Sequence, residues 1–139
     1  MISDIEIVKC ILKTDKGILI FKRADNDVLG GMWELVGGCI EDGENKKEAC
    51  IRETYEEAGI KIDIRYLYST NLEDSSCVGN YFNIHFFEAN EIIDINNISI
   101  ENNPDHSDYD IIPYDEIENA IKRNDIDTWT KDYLESLIF

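Results

Sequence analysis

Gly38-Cys39-Ile40-Glu41-Asp42-Gly43-Glu44, seven residues ending at Ile51, and then Arg52-Glu53-Thr54-Tyr55-Glu56-Glu57-Ala58-Gly59-Ile60 form the stretch on which the reading of this chain turns. Asn45 to Ala58 is rich in helix formers and stops at Gly59, a residue suited to a helix C-terminus. A helix there puts Glu53, Glu56 and Glu57, at i, i+3 and i+4, on one face a few ångströms apart. Like charges so placed repel, and they occupy the last turn, where the helix dipole disfavours anions. The arrangement costs about 1 kcal/mol in helix stability. A divalent cation reverses the sign of each of these terms. Mg²⁺ takes oxygen ligands and commonly shares its sphere with substrate phosphates. The competing reading is a solvated acidic face, softened by Arg52 and by Lys46 and Lys47 upstream.

Outward from this helix, Ile5–Lys13 is rich in β-formers, Thr14-Asp15-Lys16-Gly17 has turn chemistry and Ile18–Phe21 is apolar, which together read as a β-hairpin. Trp33–Val36 is a short strand between Gly30-Gly31 and Gly37-Gly38, and Glu41–Glu44 is a loop. Ile60–Tyr68 alternates as a strand does. Asn71–Asn80 reads as a loop, Tyr81–Ala89 as a strand, Asn96–Ser107 as a polar loop and Tyr109–Pro113 as a short strand. Asp115 is expected to cap a helix containing Ile117, Ala120 and Ile121. Asp127 is expected to start a last helix that buries Trp129, Tyr133, Leu134 and Leu137. The sum is a mixed α/β (α+β) domain, a mixed and largely antiparallel sheet flanked by helices, with residues 1–139 as one domain.

The chain carries 30 acidic residues against 13 Lys and Arg, a formal charge of −17. Such a surface excludes nucleic-acid polymers as partners, because binding them relies on Lys and Arg neutralising phosphates. Any anionic ligand is small and arrives with cations or a few local basic groups. The four cysteines, Cys10, Cys39, Cys50 and Cys77, form no CxxC pair, so free thiols are expected. The opening residues lack the basic start of a signal peptide, and no apolar run is long enough to span a membrane. A cytoplasmic protein without membrane contact is the expectation, either a monomer or a homodimer.

Gly38, Glu44, Arg52, Glu53, Glu56, Glu57, Gly59 and Ile60 match the signature box of the Nudix hydrolases at every charged and glycine position. In one register, chance gives this about once in 10⁷ or less. The chain resembles that family, and the segment Gly31–Gly38 resembles the lead-in of its MutT-like members. Thr54 and Val36 stand where an aliphatic residue and a proline are more usual.

The resemblance implies a Nudix-type α/β/α sandwich and a Mg²⁺-dependent hydrolase, with Mn²⁺ able to substitute. It implies that the Gly38 carbonyl, Glu53, Glu56 and Glu57 surround the metals, that Arg52 orients the glutamates, and that Glu44 supports helix and loop. Glu53 or Glu56 would be the base. Arg23 resembles the basic residue that reaches substrate phosphates, and Trp33 is a candidate for lining the site. Asp105 resembles an additional acid that precedes a histidine, here His106, which is expected to make a structural hydrogen bond. His85, flanked by Ile84 and Phe86, reads as a buried or edge-strand residue with no visible partner.

The substrate implied is a small nucleotide with a pyrophosphate linkage. The markers of ADP-ribose, dinucleoside-polyphosphate and NADH enzymes are missing: the only prolines are Pro104 and Pro113, and no tyrosine lies between Tyr68 and Tyr81. A (d)NTP cleaved to NMP and pyrophosphate is the favoured reading. ADP-ribose, a nucleotide sugar, a dinucleotide polyphosphate or a non-catalytic nucleotide-binding module are the alternatives.

Overall fold

The computed structural model describes residues 4–25, 29–73 and 81–139. The long strand β1 (Asp4–Ile11) is apolar on both faces and therefore needs a packed layer on each side. Val8 and Cys10 enter one core with Phe87, Ala49 and Cys50. Ile7 and Ile11 enter a second with Leu35, Phe86, Tyr133 and Leu134. β2 (Gly17–Arg23) divides in the same way, Leu19 and Phe21 to the first core, Ile18 and Ile20 to the second.

Double burial explains a departure from the expected hairpin. The turn forms: the Thr14 N–H donates to the Gly17 carbonyl at 2.8 Å, and Leu19 N–H to Leu12 at 2.9 Å. Beyond the Lys13–Ile18 bridge, however, the two strands part into different sheets. β1 pairs antiparallel with β4 (Val36–Cys39) and parallel with β6 (Tyr81–Ala89). β6 in turn pairs antiparallel with β5 (Ile64–Glu73), giving the order β4-β1-β6-β5. β2 lies between β3 (Trp33–Glu34) and β7 (His106–Pro113) in an antiparallel sheet of three. The fold is thus mixed α+β as expected, with the sheet divided in two.

The helix α1 (Lys46–Ala58) is delimited by two local devices. Asn45 and Glu48 form a reciprocal capping box, the Glu48 N–H donating to Asn45 Oδ1 at 2.8 Å and the Asn45 N–H to Glu48 Oε1 at 3.0 Å. Gly59 ends it at φ 75°, its N–H donating to the Tyr55 carbonyl. A side chain at Gly59 would be strained by that φ, and its Cβ would also lie 3.1 Å from the Ser99 carbonyl oxygen. The buried face of α1 is Ala49, Cys50, Thr54, Glu57 and Ala58, so Thr54 is accommodated inside.

Elsewhere several boundaries move. β5 begins at Ile64, not Ile60; Ile60 and Ile62 still pack on the first core, from irregular chain. Alternate burial alone produced their strand-like pattern. β5 also runs on through Asn71–Glu73, expected as loop, and the rest of that loop, 74–80, lies outside the described residues. β7 starts three residues early because His106 pairs with Arg23. Asp115 makes no side-chain cap; it sits in a 3₁₀ turn before α2 (Ile117–Ile121). Asp127 does cap α3 (Thr128–Ser136), accepting from the Thr130 N–H. Tyr133 and Leu134 are buried and Trp129 packs on the second core, whereas Leu137, just past the helix end, is 45% exposed.

His85 is buried, as one of the expected alternatives had it, and it is not on an edge and has partners. It sits on the inner strand β6, with Nδ1 2.5 Å from Ser69 Oγ and Nε2 3.1 Å from Glu6. Cys10, Cys39 and Cys50 are free thiols; Cys77 lies outside the described residues. Among the described residues, no helix is long and apolar enough to cross a membrane.

Gly59→Val is expected to destabilise the protein by about 1–2 kcal/mol, the cost of a left-handed β-branched residue. Gly59→Asn should cost less. Urea unfolding of the two variants beside the parent measures both; equal stabilities would show that the cap does not hold the helix end.

Candidate active site

The C-terminal half of α1 lies against β4, and one guanidinium organises the space between them. Arg52 Nε and Nη2 donate to the two oxygens of Glu44, each at 2.8 Å. Nη2 also donates to the Cys39 carbonyl at 3.1 Å, while Nη1 reaches Glu53 at 3.0 Å and Glu56 at 3.2 Å. The planar fork of arginine allows this, since five N–H groups leave it in fixed directions. Arg52 holds the Glu44 carboxyl near 2, well below the usual carboxylate range, helped by the Glu41 N–H that donates to it. Glu44 thus bonds the loop to the helix through Arg52.

Glu53 owes its position to Gly38. A Cβ at residue 38 would lie 2.5 Å from Glu53 Oε1 and 2.7 Å from its carboxyl carbon, so only glycine admits this carboxylate to the β4 backbone. Burial raises the proton affinity of Glu53, with Arg52 opposing. Glu56 is the exposed member of the three, its side chain 53% accessible. Glu57 turns inward: it is buried, and Oε1 accepts from the Gly37 N–H at 2.7 Å. Burial lifts its pKa to about 8 against the pull of Lys9 and the Gly37 N–H.

Beneath Glu57 lies a buried cluster that the sequence reading missed. Glu34 Oε1 accepts from Lys9 Nζ at 3.2 Å and from Arg23 Nη1 at 3.1 Å, and Oε2 accepts from His106 Nε2 at 2.9 Å. Lys9 also donates to the Leu35 carbonyl. Burial would raise the Glu34 pKa, yet Lys9, the His106 bond and Arg23 outweigh it and hold the group near 2. For Lys9, burial works against the charge, and Glu34, Asp127 and Glu57 more than offset it. The signal was legible: Lys9 and Glu34 are charged residues inside apolar strands, where a charge requires a partner.

Of the remaining expected site residues, Arg23 is tied to Glu34 and so, through His106, to the carboxylate helix. His106 Nδ1 lies 3.6 Å from Glu57 Oε2. Asp105 is exposed and lines a cleft of about 520 Å³ with Glu56, Glu57, Tyr55 and Pro104. Trp33 is half-buried against the second core, and its backbone N–H donates to the Asp125 carbonyl. His106 makes the structural hydrogen bonds expected of it.

Three carboxylates, Glu44, Glu53 and Glu56, thus share one guanidinium, and Glu57 beside them takes the Gly37 N–H. An all-oxygen, net-anionic set suits a hard divalent cation. Among the described residues no three acidic, histidine or cysteine side chains converge as a closed cage. The reason is visible in the bonding: Arg52 draws off Glu53 and Glu56, and the Gly37 N–H draws off Glu57. Placing a cation there means exchanging some of these contacts for cation–oxygen contacts.

Fold and site define an α+β domain that presents a carboxylate-bearing helix against a glycine strand. The model of the NUDIX domain matches residues 6–135, and the chain belongs to the Nudix family. It is 31% identical over 81 residues to the CTP pyrophosphohydrolase of Escherichia coli K12, an alignment covering 58% of each chain. It is 37% identical over 57 residues to the 8-oxo-dGTP diphosphatase of Proteus vulgaris, covering 41% of this chain and 51% of that one. The aligned part therefore spans little more than half the length of these relatives. The crystal structure of the MutT protein from Methanosarcina mazei Go1 superposes with a TM-score of 0.78 at 20% identity, over 96% of this chain and 91% of that one, a likeness of fold.

The Glu34 cluster gives an acid-stability prediction. Its folded pKa, near 2, lies below the usual value of 4.5, so its contribution is fully present above pH 4.5 and is lost as pH falls toward 2. Glu34→Gln should be less stable than the parent at pH 7 and should lose less stability between pH 5 and pH 2. Parallel acid limbs in denaturant titrations would refute the assignment.

Proposed function

We propose that this chain is a divalent-cation-dependent hydrolase that cleaves the pyrophosphate linkage of a small nucleotide, with a (d)NTP converted to NMP and pyrophosphate. The observation that carries the reading is the Arg52-bound carboxylate helix with Glu53 seated on Gly38. Two relatives named for CTP and 8-oxo-dGTP support a nucleoside triphosphate over ADP-ribose, a nucleotide sugar or a dinucleotide polyphosphate.

The Gly38 carbonyl, Glu53, Glu56 and Glu57 would hold Mg²⁺, or Mn²⁺ in its place. The cation would neutralise charge on the phosphate oxygens, for which a chain of charge −17 has few side chains of its own. Glu53 and Glu56 are the two candidates for accepting the proton of the attacking water. Glu53 is the better of them, since its burial raises its affinity for a proton. Arg52 keeps both carboxylates on the same side of the helix and Glu44 keeps Arg52 in place. Arg23, fixed by Glu34 and still 27% exposed, is the candidate for touching the substrate phosphates. Asp105 contributes a further acid from across the cleft.

The test is product analysis with Mg²⁺ and, separately, Mn²⁺ over a panel of NTPs, dNTPs, 8-oxo-dGTP, ADP-ribose, nucleotide sugars and diadenosine polyphosphates. One triphosphate should yield its monophosphate and pyrophosphate, and Glu56→Gln should slow this by about 10²–10³-fold. Turnover of ADP-ribose or a dinucleotide would keep the chemistry and replace the substrate. Tight nucleotide binding with no turnover at high enzyme would establish a binding module instead.

A further inference from the structure

Asn103 has no place in the sequence pattern of the site, yet its side chain is buried between α1 and β7 with all its hydrogen-bonding capacity in use. Nδ2 donates to the Glu57 carbonyl at 2.9 Å and to His106 Nδ1 at 2.8 Å. Oδ1 accepts from the Asp105 N–H at 2.9 Å and from the His106 N–H at 3.2 Å. The orientation of the amide is forced. A carbonyl accepts only, so Nδ2 must face Glu57, and two backbone N–H groups donate only, so Oδ1 must face them. The same logic settles His106: Nδ1 is the acceptor, the ring proton is on Nε2, and Nε2 donates to Glu34.

No other side chain of this size makes these four contacts. Aspartate lacks the two donors and would set a carboxylate against the Glu57 carbonyl. Leucine would leave two N–H groups and a carbonyl buried without partners. The residues so fixed are those of the turn that carries Asp105. That turn is stitched on its other side as well, the Ala24 N–H donating to the Asp105 carbonyl at 2.9 Å. Asp105 is thereby held on the wall of the cleft shared with Glu56 and Glu57.

We propose that Asn103 is a positioning residue for the hydrolytic reaction: its amide locks the turn bearing Asp105 to the last turn of the carboxylate helix, and so sets where Asp105 stands relative to Glu56 and Glu57. The proposal rests on the hydrolase reading above. Asn103 acts on the rate through Asp105, so its effect exists only while the Asp105 carboxylate is there to be placed.

That dependence makes a double-mutant cycle the decisive experiment. The parent, Asn103→Ala, Asp105→Asn and the double variant are compared on the triphosphate found by product analysis, with melting temperatures measured in parallel. Asn103→Ala should lower kcat about tenfold while KM moves less than about threefold, the signature of a displaced group that acts in the transition state. Added to Asp105→Asn, it should lower kcat no further. Losses that multiply would overturn the proposal, and so would a lowered melting temperature with unchanged kcat, or an Asp105→Asn variant as active as the parent. Should the alanine variant not fold, Asn103→Ser, which keeps an acceptor for the Asp105 N–H, replaces it in the same cycle with the same outcomes. Failure of the hydrolase reading looks different: the parent itself then turns over no substrate, and the proposal falls with it.

Discussion

The guanidinium of Arg52 is the contact on which the rest of this site depends. Six glutamates crowd the helix and the loop before it, and in a chain of charge −17 the long-range field does nothing to relieve them. Arg52 relieves them locally, with two bonds to Glu44, one to the β4 backbone at Cys39 and two to the helix carboxylates. The bonds reach strand, loop and helix, so a single side chain sets the spacing of all three. It also leaves the carboxylates it binds undercompensated, three to one, which is the condition that favours a cation.

A second layer lies beneath. Glu34 collects Lys9, Arg23 and His106 in the interior, and His106 passes the connection to Asn103 and the end of α1. Buried charges of this kind are tolerable only when every partner is in place, because the desolvation of one unpaired charge exceeds what the pair returns. The cluster therefore behaves as one unit. It ties β1, β2, β3 and β7 to the carboxylate helix, and couples a candidate phosphate-binding arginine to the acids opposite it.

Much of this was legible in the residues before any coordinates. The helix with its glycine stop, the three carboxylates on one face and the capping role of Asp127 all depend on contacts within a few residues or within one helix. The failures share one cause. The β1–β2 hairpin was read as a pair because its turn is local, but what each strand pairs with is decided by burial on both faces. Ile60 and Ile62 imitated a strand because alternate burial needs no partner strand.

The sequence by itself determined the chemistry of the site, because the spacing of Glu53, Glu56, Glu57 and Arg52 on a helix leaves one geometry open to them. It also marked Gly38, although only the folded chain reveals that the glycine makes room for Glu53. Tertiary structure alone decided that Glu57 turns inward, that Lys9 and Glu34 meet, and that Asn103 joins Asp105 to the helix. Those contacts cross 20, 25 and 46 residues of chain, and no local preference encodes a meeting at that distance. They form where two cores and two sheets bring the strands together, and they are kept because a buried polar group without its partner costs more than the contact itself.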